Sequence, residues 1–134
     1  MSRTAVRAAL EGALNSINPS IGCAWENAPY TPTHGTAYQA VFLMAAEPAN
    51  IEIGSAYTER GYLQINLFYP LDTGPGAAEA RAELIRSTFT RGASFTASGV
   101  TTHIERTPEI GPARIEDDRY FLPVKCRFYS HVRS

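Results

Sequence analysis

A chain of 134 residues has room for one domain, 1–134, because two would each be too small to bury an adequate core. With 44 % hydrophobic and 19 % charged residues it lies in the globular range and outside that of disordered chains. The formal net charge of −1 and the dispersed Lys and Arg argue against a surface that grips DNA, though not against a path that DNA slides through.

The N-terminal stretch MSRTAVRAALEGAL has no long apolar run, so no signal peptide is expected, and no segment approaches the roughly 18 consecutive apolar residues of a membrane span. Cys23 and Cys126 form no CxxC pair and read as reduced thiols of a protein made in the cytoplasm, with a disulfide between them left open.

In chain order, Val6, Ala9, Leu10, Ala13, Leu14 and Ile17 recur at steps of three and four, which predicts an amphipathic helix over Arg3 to Ile17. Ser2 or Thr4 is placed to cap it, and Asn18-Pro19 to end it. Ile21 to Thr36 carries Pro29, Pro32 and Gly35 and reads as an extended, packed connection, with Trp25 as a core or edge anchor. The apolar run Ala37 to Ala46 predicts a central strand covered on both faces. Glu47 to Glu59 is polar with Ile51 and Ile53 alternating inside it, which suits a β-excursion or an interaction loop.

The stretch from Arg60 to Phe89 is the clearest in the chain. Leu63, Ile65, Leu67 and Tyr69 alternate with Tyr62, Gln64, Asn66 and Phe68, predicting a strand that Pro70 closes. Asp72 or Thr73 then caps a helix with Pro75 in its first turn. Its apolar stripe is Ala77, Ala78, Ala82, Ile85 and Phe89, with Leu84 alongside, and Glu79, Arg81, Glu83 and Arg86 fall on the solvent side. Gly99 to Arg106 is rich in β-branched residues and predicts a strand. Pro108 to Ile115 reads as a loop. In the last strand, Arg119 to Tyr129, Tyr120, Leu122, Val124, Cys126 and Phe128 oppose Phe121, Lys125, Arg127 and Tyr129, and Pro123 marks an edge or bulge. The expected fold is α+β, a single domain with a roughly four-stranded, mainly antiparallel sheet and two helices packed on one face.

Chemistry is sparse in the pattern. His34, His103 and His131 share no metal-ligand spacing, and Gly74-Pro75-Gly76 lacks the Lys and Ser/Thr of a P-loop. Glu116, Asp117 and Asp118 read as an exposed polar turn, and no acid/base pair or nucleophile motif appears. No cofactor or metal is expected, and an enzyme is the weaker expectation. That reading would require a polar pocket holding at least two of His34, His103, Asp72, Asp117 and Asp118. If the helices cover one sheet face only, Tyr62, Gln64, Asn66, Phe68, Phe121 and Tyr129 form an aromatic surface on the other, a candidate subunit interface. The candidate assembly loops contribute Ile51, Ile53, Tyr57, Arg60, Arg91 and Phe95.

Four segments carry a family resemblance: AWENAPYTP (Ala24–Pro32), AYQAVFLMAAEP (Ala37–Pro48), the whole of Arg60–Gly92, and DDRYFLPVKCRFYS (Asp117–Ser130). With these in order the chain resembles the tail-terminator or tail-completion proteins of phages and prophages with long non-contractile tails, the lambda-like minor tail protein type. The resemblance implies a virion structural protein of the tail or neck, made in the bacterial host cytoplasm, that assembles as a ring. In the lambda-like relatives the ring is hexameric. Such a ring caps the last ring of tail tube protein, presents the surface that joins a head-tail connector protein, and lets DNA pass at most through its lumen. A head-side neck or connector protein of related fold is the alternative from the same setting. The basic C-terminal end, with Lys125, Arg127 and Arg133, departs from the family pattern.

Overall fold

The computed structural model describes residues 2–17, 21–28, 30–32, 35–45, 57–71, 74–116 and 119–132. Its elements are α1 (Ser2–Asn15), β1 (Gly22–Ala24), β2 (Tyr38–Ala45), β3 (Tyr57–Pro70), α2 (Gly76–Thr88), β4 (Ser94–Ala97), β5 (Val100–Ile104), β6 (Glu109–Ile110), β7 (Arg114–Glu116) and β8 (Arg119–Val132). The strands form one sheet in the order β1-β2-β3-β8-β5-β4, with β6 and β7 also paired to β8.

The spine is the antiparallel pair β3 and β8, in register from Tyr57↔Val132 to Pro70↔Arg119. Strict alternation places Leu63, Ile65, Leu67 and Tyr69 of β3 beside Leu122, Val124, Cys126 and Phe128 of β8 in one buried layer. Fully burying an aliphatic or Phe side chain contributes about 1.5–3 kcal/mol, so this row dominates the fold. Against it, α1 lies over β4 and β5, and α2 over β3 and β8. Val6, Leu10, Leu14 and Ile17 from the first helix, and Ala78, Ala82, Ile85 and Phe89 from the second, enter the same core. Both helices therefore share one face of the sheet, as the α+β reading expects.

The sheet is larger than the expected four strands, and mixed. Within the predicted connection Ile21 to Thr36, β1 pairs parallel with β2 through Gly22↔Tyr38 and Ala24↔Ala40. A Cβ at Gly22 would run into the Tyr30 hydroxyl, so glycine permits that close approach. Residues 94–97, read as part of a loop, form β4, joined to β5 by Ser98 (φ 51°) and Gly99 (φ 76°). Two successive positive φ values are those of a type I′ hairpin turn, and the Ser-Gly pair was its sequence signal. Short β6 and β7 occupy the predicted loop Pro108 to Ile115. Strands of two to four residues carry too little alternation to register in a periodicity reading.

Pro123 lies in a central strand, not at an edge. Its carbonyl accepts the N–H of Gly111 at 2.9 Å, on the side where β6 ends and β7 has not begun. A residue in an antiparallel ladder directs its N–H and C=O to the same neighbour, so the missing proline N–H falls in that gap.

The second strand is also covered on one face only. Gln39, Val41 and Leu43 are buried, whereas Tyr38, Ala40 and Phe42 are half-buried and Met44 is exposed, because both helices pack on the inner side. On α2, Ala77 is exposed and Arg81 is buried at 4 % exposure, the reverse of expectation for each. Arg81 stands three residues after Ala78 and four before Ile85, so helical spacing carries it onto the buried stripe whatever its charge. Burial pushes the Arg81 guanidinium below its ordinary value, with Tyr69 and then Cys23 acting in the opposite direction. The N-cap of α2 is Pro75, without a side-chain cap bond, and Glu79 donates its N–H to the Pro75 carbonyl at 2.9 Å. The expected caps Asp72 and Thr73 lie outside the described residues, as do the Asn18-Pro19 stop and Glu47 to Ala56. Trp25 packs against the core, and both cysteines are free thiols.

Candidate functional site

The outer face of the sheet, opposite the helices, collects the side chains that the alternation of β3 and β8 turns away from the core. Its six candidate interface residues, Tyr62, Gln64, Asn66, Phe68, Phe121 and Tyr129, all lie on this face, through the register pairs Phe68↔Phe121 and Tyr62↔Arg127. Five are half-buried; Phe121 is 6 % exposed.

At one end the face is an aromatic ladder. Tyr30 and Tyr38 have ring centroids 5.4 Å apart, Tyr38 stacks on Phe68 at 4.8 Å, and Phe68 meets Phe121 at 5.1 Å. Guanidinium groups sit on two of its rings, Arg119 at 4.9 Å from Tyr38 and Arg114 at 4.6 Å from the terminal Phe121. The Arg119 guanidinium also donates to the Thr36 carbonyl. Cross-strand ring pairs on neighbouring strands make such a ladder rigid, and the cations sit where the ring faces are negative.

The middle of the face is polar and concave. Gln64 donates to Asn66 Oδ1 at 2.8 Å. A recess of about 400 Å³ is lined by Gln64, Glu109, Ile110, Pro112, Pro123 and Lys125. It adjoins a second of about 410 Å³ bounded by Phe42, Met44, Asn66 and Phe121, and Gln64 and Pro123 line both.

At the far end, Lys125 Nζ stands 4.5 Å and Arg127 Cζ 6.0 Å from the Tyr62 ring. Arg60 pairs with Glu105 at 3.3 Å and lies 5.9 Å from the Tyr129 ring. His103 stacks on Tyr129 at 5.1 Å, and His131, edge-on to the same ring, is 2.9 Å from Thr58 Oγ1. Arg60, Arg114, Arg119, Lys125 and Arg127, five of the twelve Lys and Arg, thus share one face, of which the sequence pattern places only Lys125 and Arg127. Arg119, Lys125 and Arg127 at even spacing on one strand were the available signal.

Of the candidate assembly-loop residues, Tyr57 and Arg60 lie in β3 and Phe95 in β4, so these three are strand residues. Phe95 packs against Phe89 at 5.4 Å because a strand side chain directed at the helices completes the core there. Arg91 is exposed in the turn after α2, and Ile51 and Ile53 lie outside the described residues. Among the five residues named for an enzymatic pocket, only His103 is described, and it is engaged with Tyr129. No helix is long and apolar enough to cross a membrane among the described residues.

The outer face is thus aromatic at one end, polar and recessed in the middle, and edged by cations. The family model for phage tail terminator proteins matches residues 5–128, which takes in β1 to β7 and β8 as far as Phe128. The chain belongs to the phage tail terminator family. Its role is therefore that of a structural protein of the phage tail, and its setting is the virion, assembled with other tail components. The family is a structural one. No curated protein matches the chain in sequence. Among solved structures, one chain superposes with a TM-score of 0.76 at 21 % identity, over 98 % of this chain and 94 % of its own length. Another, from the virion of a native gene transfer agent particle, superposes with a TM-score of 0.69 at 16 % identity over 98 % of both chains. At these identities the likeness establishes the shared fold.

Proposed function

We propose that this terminator, made in the host cytoplasm, works as a closed ring, a hexamer as in lambda-like phages, that sits on the last ring of tail tube protein. The ring stops tube growth and offers the joining surface to the head-tail connector, and DNA passes through its lumen. The observation that carries this reading is the family match over residues 5–128, and the full-length likeness to a chain of a gene transfer agent virion is consistent with it. The outer sheet face supports the ring: the half-buried Tyr62, Gln64, Asn66, Phe68 and Tyr129 and the buried Phe121 share one side of a fold whose opposite side carries the helices. Two different surfaces on opposite sides are what a head-to-tail, ring-closing contact needs.

Lysates that lack this protein test the reading by electron microscopy. Tails of unregulated length that fail to join filled heads are expected, with uniform tails restored when the protein is supplied. Infective particles with tails of uniform length in its absence would overturn it.

A further inference from the structure

Lys125 and Arg127 converge on one ring, Tyr62, and neither has a carboxylate partner among the described residues. By contrast Arg60 is neutralised by Glu105. On the helix side, Glu79 and Glu83 stand one turn apart on the exposed face of α2, Glu79 with no ion pair among the described residues and Glu83 63 % exposed beside Arg86. Leu84, one of the large apolar residues left exposed, lines with Glu83 a shallow groove of about 440 Å³ along Ala80, Ser87 and Thr107.

We infer that the sheet face of one copy docks on α2 of the next, with Lys125 and Arg127 opposite Glu79 and Glu83, and Tyr62 seated over Leu84 and Ala80. This inference rests on the ring reading and adds to it which two surfaces meet. Charge complementarity selects the second copy as occupant: on one side Arg127 and Lys125, the latter in register with Glu109, beside an aromatic ring, and on the other Glu79 and Glu83, the latter bonded to Arg86, beside an exposed leucine. The geometry agrees, because the two patches lie on opposite sides of the sheet and are not self-complementary, so they join head to tail. Tyr62 is held by its two cations before contact, which reduces the ordering cost of binding. Reversing one side of such a desolvated pair leaves like charges facing each other at the contact, and that penalty is what the charge variants read.

Charge reversal tests the pairing. Lys125→Glu with Arg127→Glu, and separately Glu79→Lys with Glu83→Lys, are compared with the chain that carries all four changes. Self-association is read by sedimentation and native mass spectrometry, free and on isolated tail tubes, with circular dichroism as the check on folding. Each reversed pair is expected to lower association at least about tenfold while the fold is kept, and the four-fold variant to regain it. Association of either pair variant at the wild-type level, or a folded four-fold variant that stays dissociated, would overturn the pairing and leave the ring reading standing. A wild-type chain that forms no ring even on tube ends would overturn the ring reading itself.

Discussion

The Glu26 carboxylate accepts the backbone N–H of Leu43 at 3.0 Å while Arg7 holds the same oxygen at 3.0 Å. β1 covers the outer edge of β2 only as far as Ala40, so Leu43 would otherwise present an open strand edge. The turn after β1, with Asn27 at φ 58°, delivers Glu26 to that edge, and Arg7 ties the join to α1. A charged side chain guarding an edge strand in this way also resists unwanted strand addition.

Removing the latch should weaken the fold at neutral pH and matter less in acid. The Leu43 N–H bond, opposed by partial burial and helped by Arg7, holds the Glu26 carboxyl below its ordinary range. A depressed folded value means that its contribution is present above the ordinary carboxylate range and is lost as pH falls through the lowered value. Glu26→Ala is expected to cost about 1 kcal/mol at pH 7, a charged hydrogen bond discounted for exposure. Urea titrations at pH 7 and pH 3 should show the gap from wild type closing in acid, and a gap that is the same at both would refute the assignment.

The thiols should be inert in the folded protein. Burial pushes Cys126 up to about 12. Cys23 is pushed up to about 11, chiefly by burial, with the Gln39 amide pulling back and Glu11 adding to the rise. At pH 8 about one Cys23 in a thousand is then thiolate, and fewer for Cys126, and thiolate is the reactive form. Labelling by a disulfide reagent at pH 8 is expected to run at least about 100-fold slower than in urea, with Cys126 the slower of the two. Because both folded values are raised, the linked stability is full below the unfolded thiol range and lost as pH climbs toward them. Fast native labelling of Cys126 would contradict its place in the core.

The aromatic ladder should act as a unit. Tyr38 and Phe68 stack at 4.8 Å across β2 and β3, in register. A double-mutant cycle with Tyr38→Ala and Phe68→Ala, measured by chemical unfolding, is expected to give a coupling of about 0.5–1.5 kcal/mol. Additive losses would mean that the two rings bury area independently and the ladder is not a rigid element.

By itself the sequence determined the parts whose physics is local. Val6, Leu10 and Leu14 at helical steps fix the buried side of α1, and alternation in β3 and β8 fixes which residues enter the core and which face outward. It also identified the six residues of the outer face and the family to which the chain belongs. Only the tertiary structure decided what depends on neighbours distant in the chain. Pro123 is tolerated in a central strand because β6 and β7 leave a gap beside it, and Arg81 is buried because helical spacing overrides its charge. Lys125 and Arg127 are two residues apart in sequence, yet they share the Tyr62 ring only because register sets Tyr62 opposite Arg127, and spacing along one strand does not encode its partner's register.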